Sequence, residues 1–302
     1  MIRLALRVDS AEAELVLAEL LQLAPNGVEE VQVSRSVVEY AVYGAPGELP
    51  RLPGLKAAVG EALIEISTSE IPDDWPERWR QFHKPVLFDS PGPPVAGGRA
   101  IPSVRVRPPW EAPSAQASGR AGAQIQEIVI DPGQAFGTGA HASTRTCMEL
   151  LLELAAQEGA RGALLDIGTG SGVLAIAAAR LGFCPVLGLD HERESVQAAR
   201  ENAAANGDQI EVRRCDLRSQ PLPWLGQADE PAGPIVLVAN LLRPLLLELA
   251  RELPAAPGHI LAGGLLAGEI DEVSHAFADR LNLKERSRRE SGEWAAIWLQ
   301  AG

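Results

Sequence analysis

Cysteine is scarce in this chain: Cys147, Cys184 and Cys215 are the only three in 302 residues, an odd number with no C-x-x-C spacing. That gives no reason to expect a disulfide framework or a metal site, so the three read as small core residues. Also missing is any apolar run approaching the roughly 18 residues that a membrane span needs. The opening MIRLALRVDSAEAEL is interrupted by Arg3, Arg7 and Asp9, where a signal peptide would carry an unbroken apolar stretch. A cytoplasmic location is therefore expected. Basic residues are in deficit, with a net charge of −13. The average field repels polyanions, which argues against a nucleic-acid partner and suits a basic protein or a small molecule. Lysine itself is nearly missing, with only Lys56, Lys84 and Lys284 among 27 basic residues, a bias that reads as GC-rich coding.

What is present is apolar material, 46% of the residues, enough to bury the core of one sizeable domain and a smaller one. The first 70 residues alternate strand and helix patterns. IRLALRV is followed by Ala13, Val16, Leu17, Leu20 and Leu21 at helical spacing, then by VEEVQVS and VVEYAVYG. A second helical set, Leu55, Ala58, Val59, Ala62 and Leu63, leads into ALIEIST. Two helices over a small antiparallel sheet, a ferredoxin-like βαββαβ unit, is the economical solution for residues 1–70.

Residues 71–126 turn to Pro, Gly, Ala and Ser and read as a linker, with DSPGPPVAGG and EAPSAQASGRAGAQ its emptiest pieces. Trp75, Trp79 and Trp110 fall within it, as does SVRVRP, whose alternation predicts a short strand. Parts of this stretch are therefore expected to pack on a neighbour. Over 127–302 the pattern becomes ALLDIG, PVLGLD, IEVRRCD, IVLVANL and HILAGGLL, each separated by helical sequence, which predicts a parallel sheet covered on both faces. The tail NLKERSRRESGEWAAIWLQ reads as a closing hairpin.

LLDIGTGSGVLAIAAARLG places Gly168, Gly170 and Gly172 between a strand and an Ala-rich helix. Glycines there allow a sharp turn and a close ligand approach to the helix N-terminus. The position that a dinucleotide G-x-G-x-x-G fingerprint reserves for its third glycine is Val173, which discourages a nicotinamide-dependent oxidoreductase. Asp166 precedes the loop and Asp190 ends the next strand. A carboxylate at Asp190 can accept both hydroxyl protons of a ribose, marking an adenosine-binding crevice. For Asp166 a second reading stays open, a carboxylate that bonds the amides of its own tight loop.

With these residues the chain resembles the class I S-adenosylmethionine-dependent methyltransferases. DPGQAFGTGAHAST narrows the resemblance to the ribosomal protein L11 methyltransferase family, whose members carry Asp-Pro-Gly, Ala-Phe-Gly-Thr-Gly and His-x-Thr-Thr before the cofactor loop. DDWPERWRQFHKP is similar to that family's tryptophan-rich connector, VANLL to its Val-Ala-Asn-Ile-Leu motif and LAGGLLAGEIDEV to its Leu-Ser-Gly-Ile-Leu segment.

The resemblance implies a Rossmann-like, seven-stranded methyltransferase domain with an N-terminal substrate-recognition domain, and S-adenosylmethionine as cofactor. It also implies a protein N-methyltransferase acting on lysine or N-terminal amines of ribosomal protein L11; a monomer is expected. Cofactor contacts are implied from Thr144, Gly168, Asp190 and Asn240, with Phe136, Thr138, Gly139 and His141 as further candidates. Asp166 and Gly170 complete the cofactor set. Asn240, placed to orient an amine, and His141, placed to accept a proton, are the catalytic candidates. Two departures bear on the acceptor: Ser143 replaces the first threonine of His-x-Thr-Thr while keeping a hydroxyl, and Arg243 follows NLL where a small residue is common. They keep open a second acceptor, another protein lysine or a small molecule.

Overall fold

The computed structural model describes residues 2–13, 16–17, 20, 28–34, 36–44, 49, 60–70, 83–91, 100–114, 124–132, 137–226 and 230–302. The chain divides into two compact units, Met1–Phe82 and His83–Gly302.

In the first unit β1 (Ile2–Asp9), β2 (Glu29–Ser34), β3 (Val37–Gly44) and β4 (Leu63–Glu70) form one sheet in the order β2-β3-β1-β4. Every neighbouring pair is antiparallel. The period of two in each strand sorts the side chains by face. Leu4, Leu6, Val8, Val38 and Tyr40 pack with Ala13, Val16 and Leu20, and the Tyr40 hydroxyl donates to the Ala13 carbonyl at 2.9 Å. Their neighbours Arg3, Arg7, Glu39 and Glu65 pair across strands, with Arg3 and Arg7 both bonded to Glu39. Of the two helices expected here, the second lies almost wholly outside the described residues, and Gly60–Ala62 at its end forms a 3-10 turn.

The larger unit begins at His83, not near residue 127 as composition suggested. Val86–Phe88 (β5), Ser103–Arg107 (β6) and Ile125–Val129 (β7) pair as a three-stranded sheet in that order. Phe88, Ile101, Val104, Val106 and Ile128 join the main core, so apolar residues scattered among Pro and Gly outweigh the linker-like composition. The predicted strand SVRVRP is β6, and Trp110 packs edge-on against His83. Trp75 and Trp79 lie outside the described residues.

The main sheet is built from β8 (Ala163–Ile167), β9 (Val186–Asp190), β10 (Glu211–Arg214), β11 (Ile235–Asn240), β12 (His259–Leu266), β13 (Leu283–Ser291) and β14 (Trp294–Ala301). The order is β10-β9-β8-β11-β12-β14-β13. The first five strands run parallel, and β14 and β13 close the edge antiparallel as the predicted hairpin. α1 (Ala142–Ala156) and α2 (Val173–Leu181) bury one face with Leu164, Val236, Val238 and Leu261. The other face, carrying Leu165, Ile167, Leu189 and Leu237, is covered by α4 (Arg243–Glu252) and α5 (Ile270–Leu281). α3 (Arg193–Asn206) connects β9 to β10. Strand order reverses between β8 and β11, so a crevice opens there at the carboxyl ends of the strands, where ligands bind in such sheets.

Candidate active site

Three elements converge on that crevice. The first is the turn from β8 into α2. Gly168 and Gly172 sit at φ 72° and 82°, a region where a side chain is strained. A Cβ on Gly168 would also lie 2.5 Å from Leu241 Cδ2, and one on Gly172 would lie 3.1 Å from Ala199 Cβ. The amides of Gly168 and Thr169 both donate to the Leu189 carbonyl at 2.9 Å, pinning the loop to β9.

Asp166 lies beneath this loop, 1% exposed. Its Oδ2 accepts the Thr169 hydroxyl at 2.7 Å. Burial pushes its carboxyl up to about 7, with the nearby Asp190 charge adding to the rise and the Thr169 and Ala175 donors opposing it. One donor is a hydroxyl of the loop and the other an amide in the first turn of α2. Asp190, the last residue of β9, accepts the Gly170 amide on Oδ2 and the Glu192 amide on Oδ1, each at 3.0 Å. Its carboxylate is thereby fixed in orientation while each oxygen keeps a free lone pair.

The second element is the segment between β7 and α1. Thr138 is half-buried, and Gly139 turns at φ 84° where a Cβ would come 3.3 Å from Val106. Phe136 lies outside the described residues. His141 caps α1, its Nδ1 accepting the Ser143 amide at 3.3 Å and lying 2.8 Å from the Ser143 hydroxyl. Ser143 thus keeps a hydroxyl in use where it departs from threonine. The imidazole stands edge-on to Trp294, ring centroids 4.8 Å apart. Burial holds its pKa below the ordinary histidine value, so the ring is neutral at pH 7.

The third element is the end of β11. Asn240 Nδ2 reaches the fully buried Thr144 hydroxyl at 3.4 Å, while Asn240 Oδ1 is buried with no hydrogen-bond partner among the described residues. A buried amide oxygen left unpaired costs roughly 1–3 kcal/mol, and such a group in a crevice points to a donor on a ligand. Arg243, one turn on, pairs with Glu269 and Glu272 at 3.0 and 2.8 Å and ties the start of α4 to α5.

Thr144, Gly168, Gly170, Asp190 and Asn240 therefore come from four separate stretches to the same end of the sheet, with Asp166 below them. Among the described residues no group of His, Cys, Asp and Glu is placed to hold a metal ion. Cys147 and Cys215 are buried, and burial raises both thiols. Sequence reasoning passed over Ser171, Asn202 and Asn206. The signal was an asparagine pair four apart on one helix, in NAAAN, but the backbone they bond lies some 70 residues away.

Residues 56–301 match the family model described as ribosomal protein L11 methyltransferase (PrmA). A protein named ribosomal protein L11 methyltransferase from Syntrophotalea carbinolica is 35% identical over 280 residues, covering 90% of this chain and 78% of its own. Its namesake from Geobacter metallireducens is 37% identical over 234 residues, covering 76% and 67%. Among solved structures, a ribosomal protein L11 methylase from Lactobacillus delbrueckii subsp. bulgaricus superimposes with a TM-score of 0.51 at 28% identity, covering 66% of this chain and 95% of that one.

Proposed function

The chain belongs to the ribosomal protein L11 methyltransferase family, and from that premise we propose that it methylates lysine side chains, N-terminal amines or both on ribosomal protein L11. The observation that carries this reading is Asn240 Oδ1, without a hydrogen-bond partner among the described residues and beside Thr144 at the glycine-loop crevice. S-adenosylmethionine, when bound, supplies a methyl group on a sulfonium centre.

The chain's own residues fit that donor. Asp190 presents a fixed carboxylate to ribose hydroxyls, and the glycine loop lets the backbone approach closely. Asn240 Oδ1 accepts an N–H of the incoming amine and aims its lone pair. Lysine amines have pKa values near 10.4, so the amine must lose a proton before it reacts. Neutral His141 is the candidate to receive it. Thr138, Gly139 and Phe136 are assigned to the cover over the donor.

The setting is a cytoplasmic monomer acting without direct contact with nucleic acid or membrane. No described helix is long and apolar enough to cross a membrane. The net charge of −13 suits a basic protein substrate. We assign residues 1–70 to grip that substrate. The Arg243 bridge to Glu269 and Glu272 favours one alternative, an altered acceptor rim that admits another protein lysine or a small molecule.

Mass spectrometry of the organism's L11 after incubation with the chain and S-adenosylmethionine tests the reading. Steps of about 14 Da on L11 are expected, one per added CH₂. Label appearing only on another acceptor would retain the chemistry and overturn the substrate.

A further inference from the structure

The three-stranded sheet ends on β7, whose outward backbone groups would otherwise form an open edge. The Ile130 amide turns inward to the Arg107 carbonyl at 2.9 Å, so the odd-numbered residues of this strand face away from β6. Glu127 and Val129 are each met by a side chain. The Glu127 carbonyl accepts from Arg180 of α2. Asn206 of α3 pairs with both polar groups of Val129, accepting its amide at 2.8 Å and donating to its carbonyl at 2.6 Å, as a neighbouring strand would. Two residues on, the Asp131 amide donates to Asn202 Oδ1 at 3.0 Å.

Asn202 differs from the other two because its second half reaches the glycine loop. Its Nδ2 donates to the Ser171 carbonyl at 2.9 Å. The Ser171 hydroxyl in turn donates to the Gly137 carbonyl at 2.5 Å. Both ends of the stretch from Asp131 to Gly137 are therefore tied to the same residue of the loop. Asn202 is 3% exposed and Ser171 0% exposed, so neither is placed to touch a ligand in the crevice.

We propose that Asn202 and Ser171 are positioning residues for the methyl donor, tying Asp131 and Gly137 to the glycine loop so that the donor site is assembled before binding. This rests on the methyltransferase reading above. Backbone anchors held in place lose little conformational freedom when a ligand arrives, and the benefit appears as affinity. Either residue's loss frees one of the two anchors, Asp131 or Gly137, and the ordering cost then falls on binding.

The test is calorimetric binding of S-adenosylmethionine to the full chain and to Asn202→Ala, Ser171→Ala and the double variant, with Tm and steady-state kinetics measured alongside. Each single variant is expected to raise Kd and KM for the donor about tenfold, the scale of one buried hydrogen bond lost with its partner stranded. kcat at saturating donor should fall much less. The double variant should cost less than the product of the singles, because the ties of both anchors converge on Ser171. Unchanged Kd in folded variants, or a lowered Tm alone, overturns the role of the pair. Should Asn202→Ala fail to fold, Ser171→Ala decides, since it removes one hydroxyl and leaves the backbone acceptor for Asn202. No donor binding by the unmodified chain would overturn the methyltransferase reading itself.

Discussion

Asn240 and Thr144 stand 96 residues apart in sequence, yet the Asn240 side-chain amide points at the Thr144 hydroxyl across 3.4 Å. The contact joins the end of β11 to the first turn of α1. At that length it contributes little energy, so the asparagine is held mainly by its strand, with Oδ1 left over.

Asn240→Ala should therefore separate activity from stability. It removes a long hydrogen bond and relieves an unpaired buried oxygen, so the Tm should change little. kcat should fall about 100-fold if the oxygen orients the amine. Single-turnover methylation beside a thermal melt checks both; an unchanged kcat would remove Asn240 from the chemistry.

Asp190→Ala should weaken donor binding by about 1–3 kcal/mol, because ribose hydroxyls and the Gly170 amide both lose their acceptor. Asp190→Asn keeps one carbonyl oxygen for the amide and should fall between. Calorimetry decides, and equal affinity in all three proteins would refute the ribose assignment.

The buried Asp166 gives stability a definite pH dependence. Its carboxyl is raised from the ordinary range near 4 to about 7 in the fold. Between those values the folded chain holds a proton that the unfolded chain has released, so this group makes stability fall as pH rises from about 4 to 7 and level off above. Asp166→Asn, which imitates the protonated form, should flatten that slope in urea midpoints taken from pH 5 to 8. A slope identical to that of the unmodified chain would count against it.

His141 acts in the opposite sense. Its folded pKa is lowered by burial, so the stability that its neutral ring contributes is complete above the unfolded histidine value near 6.5 and is lost as pH falls below it. His141→Ala should cost about 1 kcal/mol as a lost helix cap, whereas His141→Asn restores a good capping side chain. If His141→Asn also restores full methylation, the residue is a cap and not a proton acceptor.

Much of the fold was legible because its signals are local. Periodicity marks β8, β9, β11 and β12 as short apolar runs, and a turn so tight that only glycine fits marks the start of α2. The match was weaker over 83–126, where Phe88, Val104 and Val106 contribute to the core from within a stretch of Pro, Gly and Ser. Burial there depends on what packs opposite, which composition does not encode.

By itself the sequence determined the strand and helix order, the glycine turn and the residue types at Asp190, Asn240 and His141, because each follows from spacing and side-chain chemistry. Only the tertiary structure decided what those residues face. Asn240 turns to Thr144, 96 residues away, and Asn202 bridges two loops, since hydrogen bonds between segments so far apart in sequence exist only once the sheet and helices have packed.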